Sequence, residues 1–291
     1  MALAERNARS KEIYSGGLKR PLIEIVTVVG YHLYVERHLR SDDELPTILF
    51  VNGALTTTSS LRWATQLLTD YNIIAFDFPI FGQSEMHNRL AHHLTKEDEV
   101  SILLALCERY QPDFIVSLSW GGTSTLLALT ERPQSVRKAI ISSYSFGMSL
   151  TMRALAEELV QLIDLDKQDA ASRLTVDELG EKLPFRIRQL YLRYFMRLSA
   201  LQLKGVANQI RYMLELEPSQ DVAKLEGIEI PLLFGNGSDD RFTSPESVRP
   251  IARFVLNSSF ATIANAGHFL AIESPRACTD VCDGIRSFLA V

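Results

Sequence analysis

A short apolar run, Phe114 to Leu118, ends at Ser119-Trp120-Gly121-Gly122, and a helical pattern, Thr123 to Thr130, follows directly. A strand can turn into a helix that abruptly only if small residues let the two backbones pass closely, so this segment restricts the protein to strand-turn-helix architecture. Other apolar runs repeat the rhythm: Thr47 to Val51, Ile73 to Phe76, Ala139 to Ser142, Pro231 to Phe234 and Phe260 to Ala264. Rich in β-branched residues and bounded by turn signals, they read as strands buried on both faces of a parallel sheet. Ahead of them, Ile23 to Val29 and Leu33 to Glu36 flank Gly30-Tyr31 and read as an antiparallel hairpin. Thr95 begins a capping-box-like helix start, with Asp98 at the third helical position. Val100, Leu103, Leu104 and Cys107 then share one helical face. Thr279 to Leu289 is a further helix. The fold class is therefore α/β, a mostly parallel central sheet with helices on both faces.

One stretch breaks the rhythm. Residues 146–225 hold no strand pattern but are rich in Leu, Arg, Tyr and Gln at helical spacing, so they read as a helical cap inserted between two strands. The expected organisation is a poorly ordered N-terminal extension (1–20), a core (21–145 and 226–291) and the cap (146–225). With 291 residues the protein can bury such a core without staples. Its formal net charge of −5 offers no global attraction to nucleic acid. The three cysteines, Cys107, Cys278 and Cys282, have neither disulfide-framework nor zinc-site spacing, and read as small apolar residues. Residues 1–20 lack the apolar run of a secretory signal, and no stretch is long and apolar enough to span a bilayer. The expected compartment is the cytoplasm, with loose membrane association left open.

The turn at Ser117-Leu118-Ser119-Trp120-Gly121 has the form of a nucleophile elbow, in which a sharp turn exposes the serine hydroxyl at the end of the strand; Ser117 stands where glycine is usual. Taken alone, Ser119 has a second reading as an ordinary helix-capping serine. It does not stand alone. Gly237-Ser238-Asp239-Asp240 follows a later strand, and Ala266-Gly267-His268 follows the next, giving the order serine, acid, histidine. Of the two aspartates, Asp240 is preferred, three residues after the turn glycine. The candidate oxyanion donors are the backbone N–H of Trp120, after the serine, and that of Ala54, in the loop Asn52-Gly53-Ala54 after the third strand. Asp77 to Ser84 reads as a structural strand-exit turn. His87, His92 and His93 lie in a polar stretch without ligand spacing, so no metal is expected.

Several motifs carry a resemblance: Val51-Asn52-Gly53-Ala54, Asp77-Phe78-Pro79 through Gly82-Gln83-Ser84 with His87-Asn88, Thr95-Lys96-Glu97-Asp98-Glu99-Val100, the Ser119 turn, and Ala266-Gly267-His268-Phe269-Leu270. From about Ile25 onward the sequence resembles a family of the α/β-hydrolase superfamily. Its members include the 3-(3-hydroxyalkanoyloxy)alkanoate synthases of rhamnolipid biosynthesis and the 3-hydroxyacyl-ACP:CoA transacylases or thioesterases. Gln83-Ser84 and Glu97 to Val100 look more like the synthase. The cap lacks the H-x-x-x-x-D signature proposed for the transacylase, with Tyr194 to Ser199 at the comparable place.

The resemblance implies 3-hydroxyacyl chains on CoA or an acyl carrier protein as substrates, with no cofactor beyond those carriers. It implies attack by Ser119 on the thioester, an acyl-enzyme, and then attack by the 3-hydroxyl of a second 3-hydroxyacyl group. The product is the lipid precursor of rhamnolipid-type biosurfactants. In the cap, Tyr191, Tyr194, Phe195 and Arg197 are the candidate substrate-binding residues, and Arg186, Arg188, Arg193, Arg197, Lys204 and Arg211 form a candidate patch for a phosphate-bearing or acidic carrier. A thioesterase or transacylase, a generic esterase and a non-catalytic binding protein of the same fold stand as alternatives.

Overall fold

Alternate residues of a strand face opposite sides, and the computed structural model, which describes residues 20–40, 45–88, 94–215 and 224–290, shows what each side meets. Eight strands form one sheet in the order β1-β2-β4-β3-β5-β6-β7-β8. They are β1 (Leu22–Val28), β2 (Tyr31–His38), β3 (Thr47–Val51), β4 (Asn72–Phe76), β5 (Phe114–Leu118), β6 (Lys138–Ser142), β7 (Leu232–Gly237) and β8 (Ser258–Ile263). β2 runs antiparallel to both of its neighbours, and every other pairing is parallel. The main helices are α1 (Arg62–Leu67), α2 (Lys96–Tyr110), α3 (Gly121–Thr130), α4 (Leu150–Asp164), α5 (Gln168–Glu178), α6 (Phe185–Phe195), α7 (Ala200–Glu215), α8 (Pro245–Val248) and α9 (Pro275–Leu289).

The period of two divides the core. Leu49, Val51, Ile74, Phe76, Ile115 and Ile141 pack on α2 and α3 on one face. Ile48, Phe50, Ile73, Ala75, Val116 and Ile140 pack on α1 and α9 on the other. A third apolar cluster lies within α4–α7 and reaches the core through Leu55 and Phe242. No helix among the described residues is long and apolar enough to cross a membrane.

Several boundaries differ from the sequence expectation for local reasons. The hairpin turn is Val29-Gly30, both at positive φ, and Tyr31 already belongs to β2. α9 starts at Pro275 rather than Thr279, because Ser274 caps it and proline suits the first helical position. β8 is not buried on both faces: it closes the sheet, and only intermediate and exposed residues line it. Thr95 and Asp98 do form the capping box that starts α2. All three cysteines are free; Cys107 and Cys282 are buried, which pushes their thiols up to about 12, and Cys278 is half-buried. The expectation for residues 1–20 falls, Arg20 aside, outside the described residues, as do His92 and His93. Among the described residues no group of side chains could hold a metal ion.

The turn after β4 is built on Asp77, whose carboxylate accepts from the N–H groups of Thr58 (2.7 Å) and Gln83 (2.8 Å). Burial nevertheless pushes this carboxyl up to about 6. The folded protein thus holds the proton more tightly than the unfolded polypeptide. The stability Asp77 contributes is full below about pH 4 and is lost as pH rises through about 6, by roughly 3 kcal/mol. Urea unfolding of wild type and Asp77→Asn between pH 4 and 7 checks this: wild type should lose stability relative to the variant as pH rises. Parallel curves would contradict it.

Candidate active site

Ser119 sits between β5 and α3 with φ at +49°, a left-handed conformation that L residues with a Cβ adopt only under constraint. The constraint is close packing beneath it. A Cβ on Gly121 would lie 2.5 Å from the carbonyl oxygen of Asn52, and one on Gly122 would lie 2.7 Å from Ile141. The Ser119 N–H donates to the carbonyl of Ser142 at 2.7 Å, which ties the turn to β6. Ser117, standing where glycine is usual, is fully buried at the end of β5.

Three strand ends bring the candidate triad together. Ser119 Oγ lies 2.9 Å from His268 Nε2, and His268 Nδ1 lies 2.8 Å from Asp240 Oδ2. Asp240 also accepts from the backbone N–H groups of Phe242 (2.9 Å) and Thr243 (3.0 Å), and from the Thr243 hydroxyl. Burial alone would raise its carboxyl, but the facing imidazole and the Thr243 donors outweigh that and hold it well below the usual carboxylate range. Asp239 points outward and pairs with Lys182. Neither the Ala54 nor the Trp120 backbone N–H meets an acceptor among the described residues, and both residues line the cavity at Ser119.

Three residues that the sequence pattern does not single out fix this arrangement. Thr243 Oγ1 donates to Asp240 and lies 3.3 Å from His268 Nδ1. Ser143 Oγ donates to the carbonyl of His268 at 2.7 Å. The buried carboxylate of Glu273 accepts from the N–H groups of Gly267 (2.6 Å) and Phe269 (2.8 Å), clamping the histidine loop on both sides. An acid just after the apolar stretch Phe269 to Ile272 was the one available signal.

Two cavities meet at Ser119 and His268. The larger, about 670 Å³, runs under the cap and is lined by Leu155, Leu159 and Ile163 of α4, Ala171 of α5, and Val206 and Ile210 of α7. Among the described residues, Arg153 is its only lining side chain with a fixed charge. The smaller, about 110 Å³, is lined by Trp63, Val116, Leu118, Tyr191, Leu270 and Ile285 among others. Of the four cap residues expected to bind substrate, Phe195 lines both cavities and Tyr191 the smaller one. Tyr194 and Arg197 line neither. Tyr191, Phe195 and Leu198 follow the i, i+4, i+7 stripe that faces inward, while Tyr194 turns toward the Asp77–Glu85 turn and Arg197 is exposed. The expected basic patch is divided: Arg188 pairs with Asp177 and Arg211 with Asp164, within the cap itself.

Comparison with known proteins gives a consistent picture. The alpha/beta hydrolase fold family matches residues 46–275. A protein of Pseudomonas putida named (R)-3-hydroxydecanoyl-ACP:CoA transacylase is 34% identical over 272 residues, covering 93% of this chain and 92% of that protein. The protein of the same name from Ectopseudomonas oleovorans is 33% identical over 271 residues, with 93% and 92% covered. Among solved structures, an alpha/beta hydrolase enzyme from a Medee basin deep-sea metagenome library superimposes with a TM-score of 0.76 at 17% identity, covering 91% of this chain and 97% of that one. The enol-lactonase from Burkholderia xenovorans gives 0.75 at 15% identity, with 92% and 100% covered.

Only one of the two neighbouring aspartates touches the imidazole. Asp240→Asn should therefore lower hydrolysis of an activated ester by about 10⁴-fold, while Asp239→Asn should stay within about threefold of wild type. Steady-state rates of the two variants decide it, and equal losses would contradict the geometry.

Proposed function

From the premise that the protein belongs to the alpha/beta hydrolase fold family, we propose that it is an acyltransferase that takes 3-hydroxyacyl groups from a CoA or acyl-carrier-protein thioester through an acyl-Ser119 intermediate. The observation that carries this reading is the hydrogen-bond sequence Ser119–His268–Asp240 opening onto a large apolar cavity under the cap. His268 Nε2 takes the Ser119 proton as Oγ attacks the thioester carbonyl. The N–H groups of Ala54 and Trp120 receive the developing oxyanion, each donor worth about 3 kcal/mol in such sites. The tetrahedral intermediate collapses, the C–S bond breaks, and the carrier thiol leaves with the proton from His268. An acceptor then repeats the steps in reverse, its proton passing to His268 as it attacks the acyl-serine. No cofactor is needed beyond the carriers. An apolar cavity does not hold water well, which favours transfer over hydrolysis.

The acceptor separates two outcomes. A second carrier thiol makes the protein a transacylase, and this is the leading reading, because the relatives at 31–34% identity bear that name. It displaces the synthase preference drawn from Gln83-Ser84 and Glu97 to Val100, short motifs set against similarity spread over 93% of the sequence. The synthase reading keeps one supporting observation, the second apolar compartment at Ser119, though about 110 Å³ is small beside the 670 Å³ of the first.

Incubation with 3-hydroxydecanoyl-ACP and free CoA, followed by mass spectrometry, tests the reading. Formation of 3-hydroxydecanoyl-CoA supports transacylation, and a dimeric hydroxy-acid ester supports condensation. Release of free acid alone would overturn both. The cavity assignment carries its own test: Ala171→Phe inserts a ring into the larger compartment. It should lower kcat/KM for a decanoyl relative to a butyryl thioester by at least about tenfold, as pocket discrimination per methylene allows. An unchanged ratio in a competition assay would place the acyl group elsewhere.

A further inference from the structure

The motif Thr95 to Val100 takes no part in the chemistry proposed above, yet it supplies Lys96, the one cationic side chain buried among the described residues. Lys96 Nζ donates to Glu99 Oε2 at 2.6 Å and to Ser124 Oγ at 3.1 Å. The Ser124 hydroxyl donates to the same carboxylate oxygen. From the cap, Gln209 Nε2 donates to Glu99 Oε1 at 3.0 Å and to the carbonyl of Leu94 at 2.8 Å. One carboxylate thus joins α2, the elbow helix α3 and the cap helix α7. The ammonium also lies 5.0 Å from the centroid of the Trp120 ring, within cation–π range.

A buried ion pair adds little stability that a well-packed apolar pair would not. What this pair supplies, and an apolar pair would not, is direction. It holds a cation at the indole of the residue that follows the nucleophile, and Trp120 also lines the larger cavity. That indole belongs to the residue whose backbone N–H meets no acceptor among the described residues and is free to meet an oxyanion. We infer that Lys96 and Glu99 are positioning residues for the Trp120 oxyanion donor, and that Gln209 makes their pose depend on the seating of the cap. The inference rests on the acyl-serine reading.

The test is the rate at which a fluorophosphonate labels Ser119, because phosphonylation draws on the same oxyanion donors whatever the natural acceptor is. Lys96→Met/Glu99→Leu removes both charges together and leaves none buried alone. The folded variant should label about tenfold or more slowly, with KM for thioester within about twofold of wild type, a smaller loss than removal of a whole donor. In a Trp120→Leu background the same double replacement should cost no further rate, because the indole through which the pair acts is gone. A wild-type labelling rate in the folded variant, or full additivity with Trp120→Leu, overturns the inference. If the double replacement does not fold, Gln209→Met carries the test. It leaves the ion pair intact and should slow labelling by about threefold or more at an unchanged melting temperature, and a wild-type rate overturns the inference. Failure of the wild type itself to label would instead sink the acyl-serine reading and this inference with it.

Discussion

The architecture depends on one unfavourable backbone conformation. Ser119 stands at φ +49°, a left-handed conformation that for a residue with a Cβ costs of order 1–3 kcal/mol and persists only when its surroundings over-determine it. Here they do. Gly121 and Gly122 let α3 press against the Val51–Asn52 backbone and Ile141, and the Ser119 N–H is bonded to β6. The same crowding aims the hydroxyl at the ends of β7 and β8, from which Asp240 and His268 arrive. Because β6, β7 and β8 follow β5 as consecutive parallel strands in the sheet, three loops far apart in sequence converge at one edge of it.

A second layer of bonds holds the imidazole without touching Nε2, the nitrogen that faces Ser119. Thr243 and two backbone N–H groups hold Asp240, Ser143 holds the carbonyl of His268, and Glu273 bonds the N–H groups on either side of it. Buried polar groups of this kind are worthwhile only when fully satisfied, and here the bonds converge on the histidine loop. The cap adds the opposite environment, a cavity whose only fixed charge among the described residues is Arg153. Polar order at the strand ends and an apolar space above them are what acyl transfer out of water requires.

Much of this could be read from the sequence, because the signals were local. The apolar runs marked the strands, Thr95 and Asp98 marked the start of α2, and the order Ser119, Asp240, His268 picked out the residues that the fold brings within hydrogen-bond reach. What escaped was long-range or directional. Tyr194 and Arg197 were grouped with Tyr191 and Phe195 by composition, but one residue along a helix turns a side group by about 100°. Lys96 and Glu99 read as part of a helix start and of a motif shared with the family, with no sign of their burial, because the partners that bury them, Ser124 and Gln209, lie 25 and 110 residues from Glu99. Glu273 shows in the sequence only as an acid after an apolar stretch; its role comes from the bonds it accepts from the Gly267 and Phe269 N–H groups.

The account stands on a covalent intermediate at Ser119. Mixing the protein with 3-hydroxydecanoyl-CoA in the absence of an acceptor, quenching in acid and weighing the intact polypeptide tests that most directly. The account predicts one added 3-hydroxydecanoyl group, mapped by peptide fragmentation to Ser119 and absent from Ser119→Ala. An unmodified polypeptide during turnover, or an adduct on another residue, would contradict it.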